Sequence, residues 1–414
     1  MRKIVPFVAV ALCTALASLV PLSAVPAQGK VPKRPKLEAG ADTNHAPTYY
    51  RHGLRVLEQR PEEAAAAFYW AARLDPGWAQ PLYARRIALL MTNPSFLVRY
   101  FTGGRRARQS KEVKSIDSLE LRARMIDPFV IRDLDRQFIV GFFTADWELD
   151  LRRQGLQVDA VTRQSLSYYI ERELGSDASV WLKADLAASE RRFPEALDLY
   201  RKALGRFKDD VASIHVDRAH VFYLIGSDDS ARVALELALD DLRKRDVKEF
   251  VRLYESKAVL EHGIGMVHER RNNLEAAREA YGRALQEDLA YYPAHVRLGL
   301  VALAAGDTAT ALSELALAVE IKGDEPGLLT TYGSVLAQMG KFQEADGQLR
   351  RAVELEPYYP APRYLLGRIA DLTNKPAEAL DHYQAFLARA PGRDARLTEV
   401  KSRVSALTTT AGKP

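Results

Sequence analysis

Four glycines, Gly265, Gly299, Gly333 and Gly367, follow one another at intervals of 34 residues. An alanine stands twelve positions after each: Ala277, Ala311, Ala345 and Ala379. Four positions further come Tyr281, Leu315, Leu349 and Tyr383, and three beyond those Ala284, Ala318, Ala352 and Phe386. Two of the four periods close on a proline, Pro357 and Pro391. A period this short cannot bury its own core. Each one must be a supersecondary unit that gains a continuous core only by stacking on its neighbours.

The residue types fit two antiparallel helices joined by a short turn. A glycine in the first helix lets the second lie close. The alanines of the second helix meet neighbouring helices, and the aromatic or leucine fills the space between helix pairs. Proline ends the second helix because it cannot donate the helical hydrogen bond. Before Gly265 the register holds with less regularity. Ala184, Phe193, Ala196, Tyr200 and Ala203 form one unit, and Ala219, Phe222, Ala231, Leu235 and Ala238 another. The step from Ala231 to Ala277 is longer by about a dozen residues, where Val247, Phe250, Val251 and Tyr254 recur at helical spacing. Gly53, Ala64, Phe68, Ala71 and Pro76 sketch an earlier unit, and Trp78, Leu82 and Tyr83 begin another first helix.

This pattern resembles the tetratricopeptide repeat family from Asp177 to Arg393, and more loosely over residues 46–90. The resemblance implies an all-α fold, a right-handed superhelical α-solenoid of helical hairpins with an irregular helical insert in the N-terminal half. The expected order is degenerate hairpins at 46–94, the insert or expanded repeats at 95–176, two units at 177–245, an insertion at 246–257 and four units at 258–393. Within the insert, Asn93-Pro94 breaks a helix, and Leu119 to Arg124, Ile131 to Phe142 and Tyr168 to Leu174 read as helical. Leu397, Val400, Val404 and Leu407 form one apolar stripe, as expected of a capping helix over 394–407 before a tail at 408–414.

Ahead of the repeats, Arg2 and Lys3 precede an apolar run and the small-residue stretch Ala24-Val25-Pro26-Ala27. Residues 1–27 therefore read as a secretory signal peptide, with an uncleaved membrane anchor as the alternative. Cleavage would remove Cys13, the single cysteine, and take the formal net charge from +5 to +3. A cysteine-free mature chain suits an oxidising compartment, periplasmic or extracellular. Residues 28–45, rich in Pro, Lys and Arg, read as a flexible linker.

Catalytic and cofactor patterns are missing from the sequence. There is no phosphate-binding glycine loop, no Gly-x-Ser-x-Gly and no His-Glu-x-x-His. His215 and His220, and His262 and His268, are spaced so that neither pair shares one helical face. The reading is a non-enzyme without metal or cofactor. The family resemblance implies that first helices line a concave groove where a partner peptide or protein lies. Carried onto this chain, the groove comprises Trp181, His220, Tyr223, His262, Met266, Val296, Leu300, Leu303, Ser334, Tyr364, Arg368 and Asp371. The Lys and Asn set with which some family members clamp a C-terminal carboxylate is missing at the matching places. The expected role is an envelope scaffold or adaptor, touching a membrane only indirectly unless the anchor is kept, with no nucleic-acid partner. Two other readings stand beside it. One is an enzyme with its site in 95–176. The other is a binder of acidic polymer or lipid head groups through Arg99, Arg105, Arg106, Arg108, Lys111 and Lys114.

Overall fold

The glycines that set the period are the places where helices touch. A computed structural model describes residues 31–57, 59–92, 111–127, 129–130, 180–181, 183–185, 187–188, 190–207, 211–246 and 256–411. A Cβ placed on Gly265 would stand 2.4 Å from the Tyr281 ring, and one on Gly367 would stand 2.6 Å from Tyr383. At Gly299 and Gly333 the obstacles are Leu315 at 2.8 Å and Leu349 at 2.7 Å. Gly53 meets Phe68 in the same way at 2.6 Å. The wedge residue of the second helix therefore lies flat on bare backbone of the first. The wedges and the alanines around them are fully buried, as are Ala277, Ala311, Ala345 and Ala379. Burying each Tyr or Leu wedge contributes about 1.5–3 kcal/mol.

Among the described residues the secondary structure is helical. In chain order the helices are α1 (Ala46–Val56), α2 (Pro61–Leu74), α3 (Ala79–Met91), α4 (Lys111–Ile126), α5 (Phe193–Leu204), α6 (Val211–Leu224), α7 (Asp228–Asp246), α8 (Lys257–Arg270), α9 (Leu274–Glu287), α10 (Tyr292–Ala304), α11 (Thr308–Ile321), α12 (Pro326–Gln338), α13 (Phe342–Leu355), α14 (Ala361–Leu372), α15 (Pro376–Leu387) and α16 (Leu397–Ala411). Pro61, Pro194, Pro293, Pro326, Pro362 and Pro376 sit in first turns, where the missing N–H has no helical partner to lose. Among the described residues no helix is long and apolar enough to cross a membrane.

The turn inside each hairpin is as periodic as the glycines. Asn272, Gly306, Gly340 and Asn374 all adopt left-handed backbone, with φ between 56° and 82°. Each is followed by a residue whose N–H reaches back to the first helix: Asn273 to His268, Asp307 to Ala302, Lys341 to Leu336 and Lys375 to Ala370, each at 2.9 Å. These bonds satisfy carbonyls left open at the helix end and reverse the chain in a fixed geometry. Arg191 and Gly226 play the same part in the earlier hairpins. Asn273 and Asp307 then cap the second helix, accepting from Ala276 N at 3.3 Å and Thr310 N at 3.0 Å.

The chain forms two compact units. In the first, whose described residues fall within 111–113, 127–130 and 180–289, α6 to α9 pack around Leu235, Leu242, Leu260 and Ile264, while α5 packs through Ala196, Tyr200 and Ala203 against Ile214 and Val221 of α6. Phe129 is part of that core. In the second, described by 31–92, 114–126 and 290–411, α10 to α16 form hairpins and a capping helix, together with α1 to α3. The cap runs past the predicted 407 and takes in Thr408 to Ala411, so part of the expected tail is helical. The core of the insertion expected at 246–257 lies outside the described residues, as do the helices expected at 131–142 and 168–174 and the whole segment read as a signal peptide.

The stretch expected to be a linker is packed against the second unit. Trp70 Nε1 donates to the Pro32 carbonyl at 2.9 Å, and the Arg34 guanidinium lies 4.3 Å over the Trp70 ring and 5.3 Å from that of Tyr358. Asp42 Oδ2 accepts from Gly392 N at 2.7 Å, and Asn44 Nδ2 donates to the Ala388 carbonyl at 3.2 Å. The basic residues that suggested a solvated tether include one that stacks on aromatic faces, and the extended Pro-rich backbone offers carbonyls to a neighbour. Gly265→Ala should drive a Cβ into Tyr281 and destabilise the first unit by about 1–3 kcal/mol. Urea unfolding checks this, and an unchanged midpoint would remove the close contact as the basis of the period.

Candidate functional site

The first helices carry the side chains expected to face a groove, and in each unit several already have partners. In the first unit, Trp181 donates its indole N–H to Asp217 Oδ2 at 2.8 Å and sets its ring edge-on to Phe207 at 5.5 Å. His220, only 3% exposed, stacks on Phe129 with centroids 5.9 Å apart and planes within 8°. Tyr223 stacks on the same ring at 6.2 Å, and the Arg270 guanidinium lies 3.6 Å from the Tyr223 ring centre. His262 is buried beside Tyr281, 5.2 Å between rings, and Met266 packs onto the core that contains Phe129.

Phe129 is thus seated on the first-helix face of this unit. Gly263 makes the seat, since a Cβ there would stand 2.7 Å from the Phe129 ring. This residue lacks the 34-residue period, so repeat analysis alone passes over it. Of the groove residues predicted here, Trp181, His220, Tyr223, His262 and Met266 are engaged by the protein itself. For His220, Tyr223 and Met266 the physical reason is that Phe129 brings an aromatic ring to an apolar face that would otherwise lie open; Trp181 is held by Asp217 and Phe207, and His262 lies against Tyr281.

A polar cavity of about 240 Å³ lies elsewhere in the first unit, bounded by Glu236, Leu239, Arg243, Glu261, Ile264 and Arg283. Glu261 is 2% exposed and takes a hydrogen bond at 3.0 Å from each of Arg243 and Arg283. Its charge is satisfied, as a buried carboxylate requires.

In the second unit, helix α4 supplies the side chains that meet the predicted groove. Met125 packs with Val296 against Tyr292 and Leu328. Arg122 of α4 forms a two-pronged pair with Glu325, Nε to Oε1 at 3.0 Å and Nη2 to Oε2 at 3.2 Å. Glu120 pairs with Arg86 at 2.9 Å and Arg124 at 2.7 Å. Burial pushes the Tyr292 hydroxyl well above the ordinary phenol range. Leu300, Leu303 and Ser334, further along α10 and α12, are half-buried.

Tyr364, Arg368 and Asp371 lie under the capping helix. Arg403 clasps Asp371 with two hydrogen bonds of 2.9 Å, and Tyr383 donates its hydroxyl to the same carboxylate at 2.9 Å. Arg368 donates to the Tyr364 hydroxyl at 3.1 Å and stands 3.7 Å from Glu399. These three residues serve the end of the stack. The same tyrosine-to-acid bond recurs as Tyr281 to Glu269 at 2.7 Å, twelve residues apart like Tyr383 and Asp371. Where the wedge is Leu315 or Leu349, the corresponding positions hold Leu303 and Ala337, so wedge polarity follows the first helix.

Of the basic patch, Arg99, Arg105, Arg106 and Arg108 lie outside the described residues, as does the side chain of Lys111, while Lys114 is exposed on α4. Among the described residues no group of three or more His, Cys, Asp or Glu side chains could hold a metal ion.

The sequence matches the tetratricopeptide repeat over residues 182–246, 262–326 and 333–394, the segments that form these hairpins. The chain is a tetratricopeptide-repeat protein, and such repeats are protein-interaction scaffolds. Among solved structures it is similar to YrrB, a TPR protein with an unusual peptide-binding site, at 21% identity over 49% of this chain and 97% of that one, TM-score 0.38. It is also similar to the C-terminal part of a TPR repeat-containing protein from Cytophaga hutchinsonii, at 18% identity over 56% and 89% of the two chains, TM-score 0.46. A third is pilF of Pseudomonas aeruginosa, at 16% identity over 56% and 97%, TM-score 0.41. No curated protein matches the chain.

Asp371 gives the cap a pH dependence. Burial raises its carboxyl, but the hydrogen bonds from Arg403 and Tyr383 outweigh burial and hold it below the ordinary range. A lowered folded-state value contributes stability that is present above the unfolded value and lost as pH falls through the folded one. Hydrogen exchange in α16 should therefore accelerate as pH falls below about 4, after correction for the intrinsic rate. Arg403→Gln should reduce that acceleration, and an equal pH response in the variant would contradict the assignment.

Proposed function

We propose that the protein is a non-enzymatic scaffold or adaptor of the cell envelope that holds a partner peptide or protein on the first-helix face of the second unit, along α10 and α12. One observation carries the choice of face. Leu300, Leu303 and Ser334 are half-buried, whereas the other predicted groove positions are engaged within the chain, by Asp217 and Phe207, by Phe129, by Tyr281, by Met125 or by the capping helix. Two leucines one turn apart on a helix suit the anchors of an amphipathic or extended peptide. The peptide-binding site of YrrB is a property of that protein, and the reading here rests on the two leucines instead.

The envelope assignment rests on the N-terminal sequence, the charged start followed by an apolar run and small residues. A mature chain without cysteine is consistent with it. The enzyme reading draws on 95–176, most of which lies outside the described residues, and no described side chains favour it.

Crosslinking and affinity capture of the full chain from its native envelope test both parts. Leu300→Glu puts a charge on the proposed contact face and should abolish capture of the specific partners while leaving the helical circular dichroism intact. Retention of the same partners by the variant would reject this face. Recovery of the chain from the cytoplasmic fraction, with its first residues intact, would reject the envelope assignment.

A further inference from the structure

We propose that Arg85 binds a carboxylate offered by an acidic peptide, adding one more to the arginine–carboxylate pairs around it in the second unit. The set lies around α2, α3 and α4. Arg73 Nε bonds both oxygens of Glu356 at 2.9 Å. Arg122 holds Glu325 with two bonds, and Arg86 holds Glu120 at 2.9 Å. Each of these three cations thus faces a carboxylate, Glu120 being shared with Arg124. Arg85, next to Arg86 on α3, has none among the described residues.

What Arg85 does have is an aromatic support. Its guanidinium carbon lies 4.6 Å from the Tyr69 ring centre, and Arg73 stands 5.6 Å from the same ring while donating to the Tyr69 hydroxyl at 3.2 Å. The Nε of Arg85 is buried and has no hydrogen-bond partner among the described residues. Burial pushes its guanidinium down to about 10, with Tyr69 acting against the shift and the Arg122 charge adding to it. The group is still a cation at neutral pH, so the unit carries a half-buried charge that no described carboxylate offsets.

The unmatched valence selects the ligand. A guanidinium presents a planar fork of N–H donors that matches a carboxylate in two-pronged geometry, as Arg122 and Glu325 already demonstrate in the same unit. Arg85 belongs to α3 and Leu300 to α10, so the site can stand if the first-helix face binds nothing, and the reverse also holds.

The test uses the full chain and a fluorescein-labelled tetraglutamate peptide, read by fluorescence anisotropy at low and at physiological salt. The tetraglutamine analogue is the control. We expect the acidic peptide to bind, more tightly at low salt, and the neutral one not to bind. Arg85→Met should weaken binding by at least about tenfold. Its melting temperature without ligand should equal or exceed that of the parent, because the substitution removes an unpaired charge. Equal affinity in the variant would overturn the proposal. Displacement of the peptide by inorganic phosphate more readily than by glutarate would overturn the carboxylate assignment. A melting temperature lowered by several degrees would show Arg85 to be structural and overturn the site.

Discussion

The four regular hairpins depend on a helix approaching another closely enough for one side chain to rest on bare backbone. At Gly265, Gly299, Gly333 and Gly367 that side chain is Tyr281, Leu315, Leu349 and Tyr383. The contact sets how deep the second helix sits and hence where its alanines meet the next helix. It also fixes which side of the first helix is left over for anything else. The left-handed residues Asn272, Gly306, Gly340 and Asn374 supply the other constraint, closing each turn so that the two helices can meet at that depth. Packing and turn share one period because one geometry requires both.

The leftover side of the first helices is where a repeat scaffold would present a binding surface, and this protein has spent much of it on its own chain. Phe129 sits on α6 and α8 in the first unit. In the second, Met125 reaches Val296, and the capping helix holds Asp371 through Arg403. These contacts differ in character. The first two bury apolar surface and are insensitive to salt. The third is a partly exposed ion pair, which salt and acid weaken.

The hairpins could be read from the sequence because their determinants are local and repeated. A glycine, a wedge and an alanine at fixed spacing mark each of the four regular ones, and the structure places every such glycine against its wedge. The turn residues were harder to read, since Asn, Gly and Arg share only the ability to take a positive φ there. What the sequence could not disclose were contacts between distant segments. Nothing near Arg34 announces Trp70 or Tyr358, and nothing near Gly263 announces Phe129. Composition misled at residues 31–45, where Pro and basic residues suggested a tether although Arg34 and Asp42 have fixed partners. The groove was predicted from repeat register, which gives the direction of a side chain and says nothing of what already lies against it.

The bond between Asp42 and Gly392 joins residues 350 apart in the chain. In an open array of repeats each hairpin needs only its neighbours, so folding can begin anywhere and spread. Here the N-terminal segment has contacts that come into existence only once the last hairpin has been synthesised. Closing a loop of that length is slow compared with forming a hairpin. Helix α2 must therefore leave the ribosome without its final partners and wait, with Trp70 and Arg73 uncovered, until Tyr358 and Glu356 arrive to receive them.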